Sequence, residues 1–180
     1  MDVGVKYSVV ITPDDKGTVY VDGLKDELFS KIGLYNSRRS KAHVTICEFF
    51  AGKQKLNAVI RKLKEIASFE NPVHIKFDGV DSYPNGAVFL KPTEATKAPL
   101  KELMVRIQKQ LNIKNSYKSK DPHMSIARKL SNDNVEIALK MFAEVKLDFN
   151  CTNIVLRKFN PDKKQYEIFS TDFPFLGLPP

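Results

Sequence analysis

The chain of 180 residues carries 29 lysines and arginines against 21 aspartates and glutamates, a formal net charge of +8. Hydrophobic residues make up 42% of it, enough for a buried core, but no run approaches the roughly 18 apolar residues that span a membrane, which excludes an integral membrane protein built from helices. The positive balance favours anionic partners such as nucleotides, RNA or other phosphates.

The N-terminal segment and the two cysteines bear on location. Residues 1–6 contain no basic region followed by a long apolar run, so we expect no signal peptide. Cys47 and Cys151 lie far apart in the chain and lack metal-ligand spacing, which predicts reduced, structural thiols. Both features favour a cytoplasmic protein.

Apolar periodicity and turn residues predict an alternation of strands and helices. The first half is predicted to contain a strand at 5–13, a helix at 24–33, a strand at 42–50, a helix at 56–68, and strands at 73–80 and 87–92 around the turn Tyr83-Pro84-Asn85-Gly86. The second half is predicted to contain a helix at 99–111, a basic loop at 112–121, a strand at 122–130, a helix at 132–145 capped by Asn132 or Asp133, and a strand pair at 147–160 and 165–173. Hairpins among the alternating elements favour an α+β fold with antiparallel sheets.

Two short motifs repeat at half the length of the chain. HVTI at 43–46 and HMSI at 123–126 both read histidine, apolar, hydroxyl, apolar, and each lies on a predicted strand that precedes a predicted helix. Two of the three histidines occupy these equivalent positions, 80 residues apart. The pattern indicates an internal duplication with one such motif in each half.

The paired motifs suit phosphoryl chemistry. In a strand, alternation puts His43 beside Thr45 and His123 beside Ser125 on one face. Histidine titrates near neutral pH, so one ring can accept a proton while the other donates one, and the hydroxyls can hold phosphate oxygens. Arg128 is the candidate for a bidentate phosphate contact, provided that the strand bends or ends before it.

On these residues the sequence resembles the 2H phosphoesterases, which include the 2′-5′ RNA ligase-like proteins and the RNA 2′,3′-cyclic phosphodiesterases. HVTI and HMSI match the two His-x-Thr/Ser-x motifs of the family, and PHMSIAR at 122–128 also matches its frequent arginine five places after the second histidine. The resemblance covers essentially the whole chain, including the strand YSVVI at 7–11.

The resemblance implies a single two-lobed domain over residues 1–180: an α+β, LigT-like fold with two pseudo-symmetric lobes of antiparallel sheet flanked by helices, and duplicated β-α-β units around a central cleft. It implies that His43 and His123 are the general acid and base, that Thr45 and Ser125 bind the phosphate with Arg128, and that no metal or cofactor takes part. The expected partner is a nucleotide or RNA with a cyclic phosphate or a 2′-5′ linkage. We expect a monomer.

The base-stacking residue is less well defined. After the first motif the chain reads Glu48-Phe49-Phe50-Ala51-Gly52, which departs from the aromatic-Leu-Gly ending of many members. Phe49 shares strand parity with His43 and is our choice for stacking on a nucleobase, with Tyr7 on the first strand as the second choice. Core packing is the alternative for both.

Other polar residues have simpler interpretations. His74 lacks a hydroxyl partner two places on, which favours a structural or exposed residue. A further set of residues is interpreted either as solvated charge or as guidance for an anionic substrate: Arg38, Arg39, Lys41, and the loop residues Lys118 and Lys120 beside Tyr117. Neither motif has a carboxylate or cysteine at metal-ligand spacing.

The leading hypothesis is therefore a metal-independent phosphodiesterase acting on 2′,3′-cyclic phosphates or related 2′-5′ linked RNA or nucleotides. Near-symmetry hides which histidine is the acid, and the ligase-like reverse reaction would use the same groups. A nucleotide-binding module with little catalysis is one alternative. An RNA-binding protein that relies on its basic surface is another.

Overall fold

A computed structural model describes residues 4–180, so the first three residues of the segment used to predict the absence of a signal peptide lie outside it. Within the described residues there are four helices: α1 Asp15–Ile32, α2 Lys53–Phe69, α3 Glu94–Leu111 and α4 Asn132–Met141. The nine strands of this part of the chain are β1 Val5–Ile11, β2 Val44–Ala51, β3 Val73–Ser82, β4 Val88–Pro92, β5 Tyr117–Lys118, β6 Met124–Ala127, β7 Lys146–Cys151, β8 Asn153–Asn160 and β9 Gln165–Pro174.

The strands form one antiparallel sheet that is symmetric about its centre. Its order is β7-β3-β4-β6-β2-β1-β8-β9, with the short β5 paired to β2. The motif strands β2 and β6 are therefore direct neighbours, and the run β4-α3-β6-α4 repeats the run β1-α1-β2-α2. The α+β class, the antiparallel pairing and the duplication predicted from the sequence are confirmed.

The apolar faces of the helices share one core with the sheet. The buried helix residues Val21, Leu63 and Leu103 join strand residues such as Val44 and Ile126 in a single cluster. Cys47 and Cys151 lie in it, unpaired and buried, and burial raises the pKa of each thiol to about 12. The predicted structural role of the cysteines is confirmed.

Helix α1 begins nine residues before its predicted start. Asp14 caps it, since its carboxylate accepts a hydrogen bond of 2.7 Å from the backbone N–H of Gly17. The first turns contain exposed Val19 and two glycines, Gly17 and Gly23, so their pattern is not amphipathic. Similarly, Ser131 caps α4 in place of the predicted Asn132 or Asp133.

The predicted turn at residues 83–86 joins β3 to β4. The amide N–H of Gly86 donates to the carbonyl of Tyr83 at 3.1 Å. Gly86 has φ of +85°, and a Cβ there would lie 2.4 Å from the carbonyl oxygen of Leu130. Glycine is therefore required both by the backbone conformation and by the close approach of the chain that follows β6.

Candidate active site

The two motifs meet at the centre of the sheet. Val44 of β2 is paired with Met124 of β6 in antiparallel register. One residue further in each direction, this register sets His43 opposite Ser125 and Thr45 opposite His123. Each histidine is thus brought next to the hydroxyl of the other half, and the local twofold axis passes between the paired strands.

Both imidazoles are held by the same local hydrogen bond. Nδ1 of His43 lies 2.6 Å from the carbonyl oxygen of Lys41, and Nδ1 of His123 lies 2.7 Å from that of Asp121. A carbonyl oxygen only accepts, so Nδ1 carries the proton in each hydrogen bond. Nε2 of each ring is then the nitrogen that is free to exchange a proton with a substrate.

The surroundings of the two rings differ. His43 is 7% exposed, whereas His123 is half-buried. Burial, followed by the positive charge of Arg157, holds the pKa of His43 well below its ordinary value, and Lys25 and Arg128 act in the same direction. Burial and the nearby cations therefore favour the neutral imidazole of His43 at physiological pH.

A β-bulge in β2 decides which side chains follow Thr45 into the cleft. Val9 of β1 is paired with Cys47 and Val10 with Thr45, so Ile46 is an extra residue on β2. The extra residue reverses the alternation of every side chain beyond it. Glu48 consequently faces the cleft, and Phe49 faces the core.

The bulge is held by a side chain of the second half. The carbonyl of Ile46 accepts hydrogen bonds from Nε2 of Gln108 at 2.9 Å and from the backbone N–H of Ser119 at 3.0 Å. Gln108, on α3 and 8% exposed, also donates to the carbonyl of Ser119 at 2.7 Å. A buried amide thus ties the first motif strand to the loop that precedes the second motif.

The structure corrects the two stacking candidates. Phe49 is 1% exposed and Tyr7 is 4% exposed, and their rings pack on each other at 5.9 Å in the apolar core. Neither ring lines the cleft. For Phe49, the error came from counting strand parity through the position of the bulge.

The cleft has two compartments that share the side chains of Glu48 and Arg128. The first, which we call the His43 compartment, has a volume of about 340 Å³. Its cations come from four separate segments: Arg38, Arg39, Arg128, Arg157, Lys163 and Lys164. The second, the His123 compartment, has a volume of about 510 Å³ and contains Thr45 and Ser125 in its wall.

Aromatic rings surround His123. The His123 ring lies edge-on to Tyr83 at 5.4 Å and to Phe89 at 5.2 Å. The hydroxyl of Tyr83 donates to the carboxylate of Asp121, whose backbone carbonyl in turn accepts the hydrogen bond of His123. Tyr117, which is 56% exposed, lines the same compartment. Tyr83 and Tyr117 therefore offer the aromatic surfaces of the cleft in this half.

Arg128 reaches the cleft because β6 ends at Ala127. Its backbone N–H donates to the carbonyl of Asn36 at 3.2 Å, and the chain turns at Lys129 with φ of +56°. The sequence analysis required that the strand end before Arg128, and the structure meets this condition. The Arg128 side chain borders both compartments.

Sequence reasoning did not identify Arg157 and Glu48. Arg157 is 5% exposed, burial lowers its pKa to about 10, and its Nη2 donates to Ser8 at 3.2 Å. Its guanidinium also lies 4.8 Å from the centre of the Tyr166 ring. The available signal was a charged residue inside an apolar strand run, "IVLR" for Arg157 and "TICEFF" for Glu48.

A buried lysine supports the loop before His43. Lys25 of α1 is 2% exposed, and its ammonium donates to the carbonyls of Ser40 and, at 3.4 Å, Ser37. Burial lowers its pKa to about 8. Two main-chain acceptors on one buried donor fix the segment whose Lys41 carbonyl orients the first histidine.

The remaining sequence candidates lie as follows. His74 is exposed and outside the cleft, with Nδ1 2.7 Å from the side-chain oxygen of Asn150, which confirms its interpretation. Lys41 pairs with Asp22 at 2.8 Å, and Lys118 donates to the carbonyl of Ile113 at 3.3 Å. Neither of these lysines lines the two compartments.

No group of three or more His, Cys, Asp or Glu side chains among residues 4–180 is arranged to hold a metal ion. No helix among the described residues is long and apolar enough to cross a membrane.

The fold and the paired motifs define a protein of the 2H phosphoesterase class. The family model described as the 2′-5′ RNA ligase superfamily matches residues 13–163, and the chain belongs to that superfamily. The resemblance found in the two tetrapeptides is thereby confirmed. None of the curated proteins matches the sequence.

Solved structures share the fold at low sequence identity. E. coli LigT in its apo form has a TM-score of 0.63 at 13% identity, covering 93% of this chain and 96% of its own. TT0787 of Thermus thermophilus has a TM-score of 0.63 at 14% identity, covering 96% and 98%. Usb1 of Kluyveromyces marxianus has a TM-score of 0.55 at 15% identity, covering 86% and 94%.

Proposed function

We propose that the protein is a phosphodiesterase that hydrolyses 2′,3′-cyclic phosphates of RNA ends or nucleotides by two-histidine acid–base catalysis, without a metal ion. The observation that carries the proposal is the repeated geometry of the motifs: two imidazoles, each fixed through Nδ1, on neighbouring strands beside two hydroxyls. This is the arrangement that transfers one proton in and one proton out around a single phosphorus atom.

The difference in burial favours His43 as the base. Nε2 of neutral His43 takes a proton from water as the water oxygen bonds to phosphorus. The bond from phosphorus to one ribose oxygen breaks, and His123, protonated at Nε2, gives its proton to that oxygen. The product is a phosphate monoester with a free ribose hydroxyl.

The other cleft residues stabilise charge on the phosphate. Thr45 and Ser125 donate their hydroxyl hydrogens to the non-bridging oxygens, and Arg128 compensates the negative charge that builds in the transition state. The terminal base lies against Tyr83 and Tyr117 in the His123 compartment, since aromatic faces accept any base. A complex of E. coli LigT with 3′-AMP supports a nucleoside monophosphate as a ligand of this fold.

The test is hydrolysis of the four nucleoside 2′,3′-cyclic phosphates in excess EDTA by the wild type, His43→Ala and His123→Ala. We expect turnover that persists in EDTA and falls by about 10²–10⁴-fold in each variant. His74→Ala is the matched control and should retain wild-type activity. Chromatography of the 2′- and 3′-monophosphates identifies the leaving oxygen.

Two results would contradict the proposal. One is turnover that survives the loss of either histidine. The other is tight binding of nucleoside monophosphates by a wild type that hydrolyses neither the cyclic mononucleotides nor RNA with a cyclic phosphate end, which would indicate the binding module instead.

A further inference from the structure

The wall of the His43 compartment holds donors without acceptors. Within residues 4–180, buried side-chain atoms that lack a hydrogen-bond partner include Oγ of Ser37, Nε of Arg38 and Nε of Arg157. All three residues line this one compartment. A buried donor without an acceptor costs about 1–3 kcal/mol, so the unsatisfied atoms in this wall are not accounted for by the stability of the fold.

Most cations of the compartment have no carboxylate partner among residues 4–180. Within the same described part of the chain, four cations of the His43 compartment have no carboxylate within 4.0 Å: Arg39, Arg128, Arg157 and Lys164. Glu48 is the acidic residue in the wall, and it lies at the boundary with the other compartment.

The charges converge from separate parts of the fold. Arg38 and Arg39 lie in the loop between α1 and β2. Arg157 lies on β8, and Lys164 lies in the turn between β8 and β9. Arg38 is partly engaged, with Nη2 3.2 Å from Asp26 and its guanidinium over the Phe29 ring at 3.8 Å. This engagement holds the Arg38 guanidinium in the wall of the compartment.

These charges exceed what one cyclic phosphate requires. A 2′,3′-cyclic phosphate diester carries a single negative charge, and Arg128 at the boundary already faces it. We infer that the His43 compartment binds a second phosphate of the substrate: the 5′-phosphate of the terminal nucleotide, which in RNA is the link to the preceding nucleotide. The inference rests on the proposed function for the position of the scissile phosphate, and it makes a phosphorylated nucleotide or RNA end the substrate in place of an isolated nucleoside cyclic phosphate.

Aromatic side chains line both compartments, including Tyr166 in the His43 compartment, so the direction of the substrate follows from the concentration of cations in the His43 compartment. With the terminal base against Tyr83 and Tyr117 in the His123 compartment, the 5′ side of the same nucleotide points past Arg128 into the His43 compartment. The compartment volume of about 340 Å³ accommodates a phosphate group together with part of the next nucleotide.

The test is a calorimetric titration with two probes that the proposed reaction leaves intact, adenosine 3′-monophosphate and adenosine 3′,5′-bisphosphate. We expect the wild type to bind the bisphosphate at least tenfold more tightly, with a steeper loss of affinity as salt rises. In the double variant Arg39→Gln, Lys164→Gln the advantage should fall below about threefold. Both residues are exposed, so the fold does not depend on them.

The control removes the same two charges elsewhere. Lys97→Gln, Lys101→Gln changes two exposed lysines of α3 that do not line the cleft, and it should keep the tenfold advantage. Equal affinity of the wild type for both probes would overturn the inference. An advantage that persists in the Arg39→Gln, Lys164→Gln variant, or that falls equally in the control, would also overturn it.

Binding and turnover separate this inference from the proposed function. A wild type that prefers the bisphosphate but hydrolyses no cyclic phosphate supports the second-phosphate site and contradicts the hydrolase. A wild type that hydrolyses cyclic phosphates without any bisphosphate preference supports the hydrolase and overturns the second-phosphate site.

Discussion

The two halves of the molecule repeat a motif and differ in what surrounds it. His43 and His123 both bond through Nδ1 to the carbonyl two residues earlier. The first ring is buried among cations, whereas the second is half-buried between Tyr83 and Phe89. The duplication thus supplies two equivalent nitrogens, and the divergence of the surroundings gives the two rings different burial and different neighbours.

The aromatic residues differ between the halves in the same way. Tyr7 and Phe49 of the first half pack in the core, whereas Tyr83 and Tyr117 of the second half line the cleft. Among the described residues, six cations line the His43 compartment and two line the His123 compartment, with Arg128 shared between them. The symmetric fold therefore has a cleft with two unlike ends.

The largest difference between the halves is expected when one aromatic ring is removed from each. Phe49→Ala should lower the free energy of unfolding by about 3–5 kcal/mol, because it removes a fully buried ring. Tyr83→Leu should cost less stability and raise KM by about tenfold, because it removes a stacking surface. Urea denaturation and steady-state kinetics of both variants make the test.

A Phe49→Ala variant with wild-type stability and a raised KM would show that the first half also contributes to base binding. Phe50→Ala is the control for Phe49, since the neighbouring side chain is 60% exposed and its loss should change neither stability nor KM.

The hydroxyls test whether the halves act equally on the phosphate. Thr45→Val and Ser125→Ala should each lower kcat/KM by about 10–100-fold, because a hydrogen bond to a charged group contributes about 1.5–3 kcal/mol. Thr45→Ser keeps the hydroxyl and should restore most of the activity. A loss confined to one half would mean that a single hydroxyl binds the phosphate.

The smallest effect concerns the protonation of the buried ring. The pKa of His43 is lowered in the folded protein, so below about pH 6.5 the unfolded chain binds a proton that the folded protein does not. Stability from this group is therefore present above pH 6.5 and declines as pH falls, by up to about 1.4 kcal/mol per pH unit. His43→Gln should reduce the difference in unfolding free energy between pH 7 and 5.5, measured by urea denaturation.

Removing the exposed histidine provides the matched control for that titration. His74→Gln should leave the difference between the two pH values at its wild-type size. A His43→Gln variant with an unchanged difference would show that the ring titrates normally in the folded protein.

Much of the fold follows from local pattern. The spacing of 80 residues between the motifs predicted the duplication. The strand periodicity and the turn at Gly86 predicted the antiparallel pairing, because both depend on residues close in sequence. The start of α1 does not follow from local pattern, because the turns that begin at the cap Asp14 lack an amphipathic face. The predicted single strand at 147–160 is two strands that separate at Thr152.

The candidate site was less completely predictable. Alternation correctly grouped the residues inside each motif, but the bulge at Ile46 depends on Gln108, 62 positions away, and reverses the parity of Phe49. The position of Arg157 next to the first histidine depends on the pairing of β8 with β1, which no local pattern in the sequence gives.

The central claim, that both halves act on one phosphate, is tested most directly by a double-mutant cycle. The measurement is kcat/KM for a 5′-phosphorylated nucleoside 2′,3′-cyclic phosphate by the wild type, His43→Ala, His123→Ala and the double variant. Groups that act as a unit are strongly non-additive, so the double variant should be no more than about threefold worse than the poorer single variant. Losses that multiply would place the two histidines in independent steps and contradict the account.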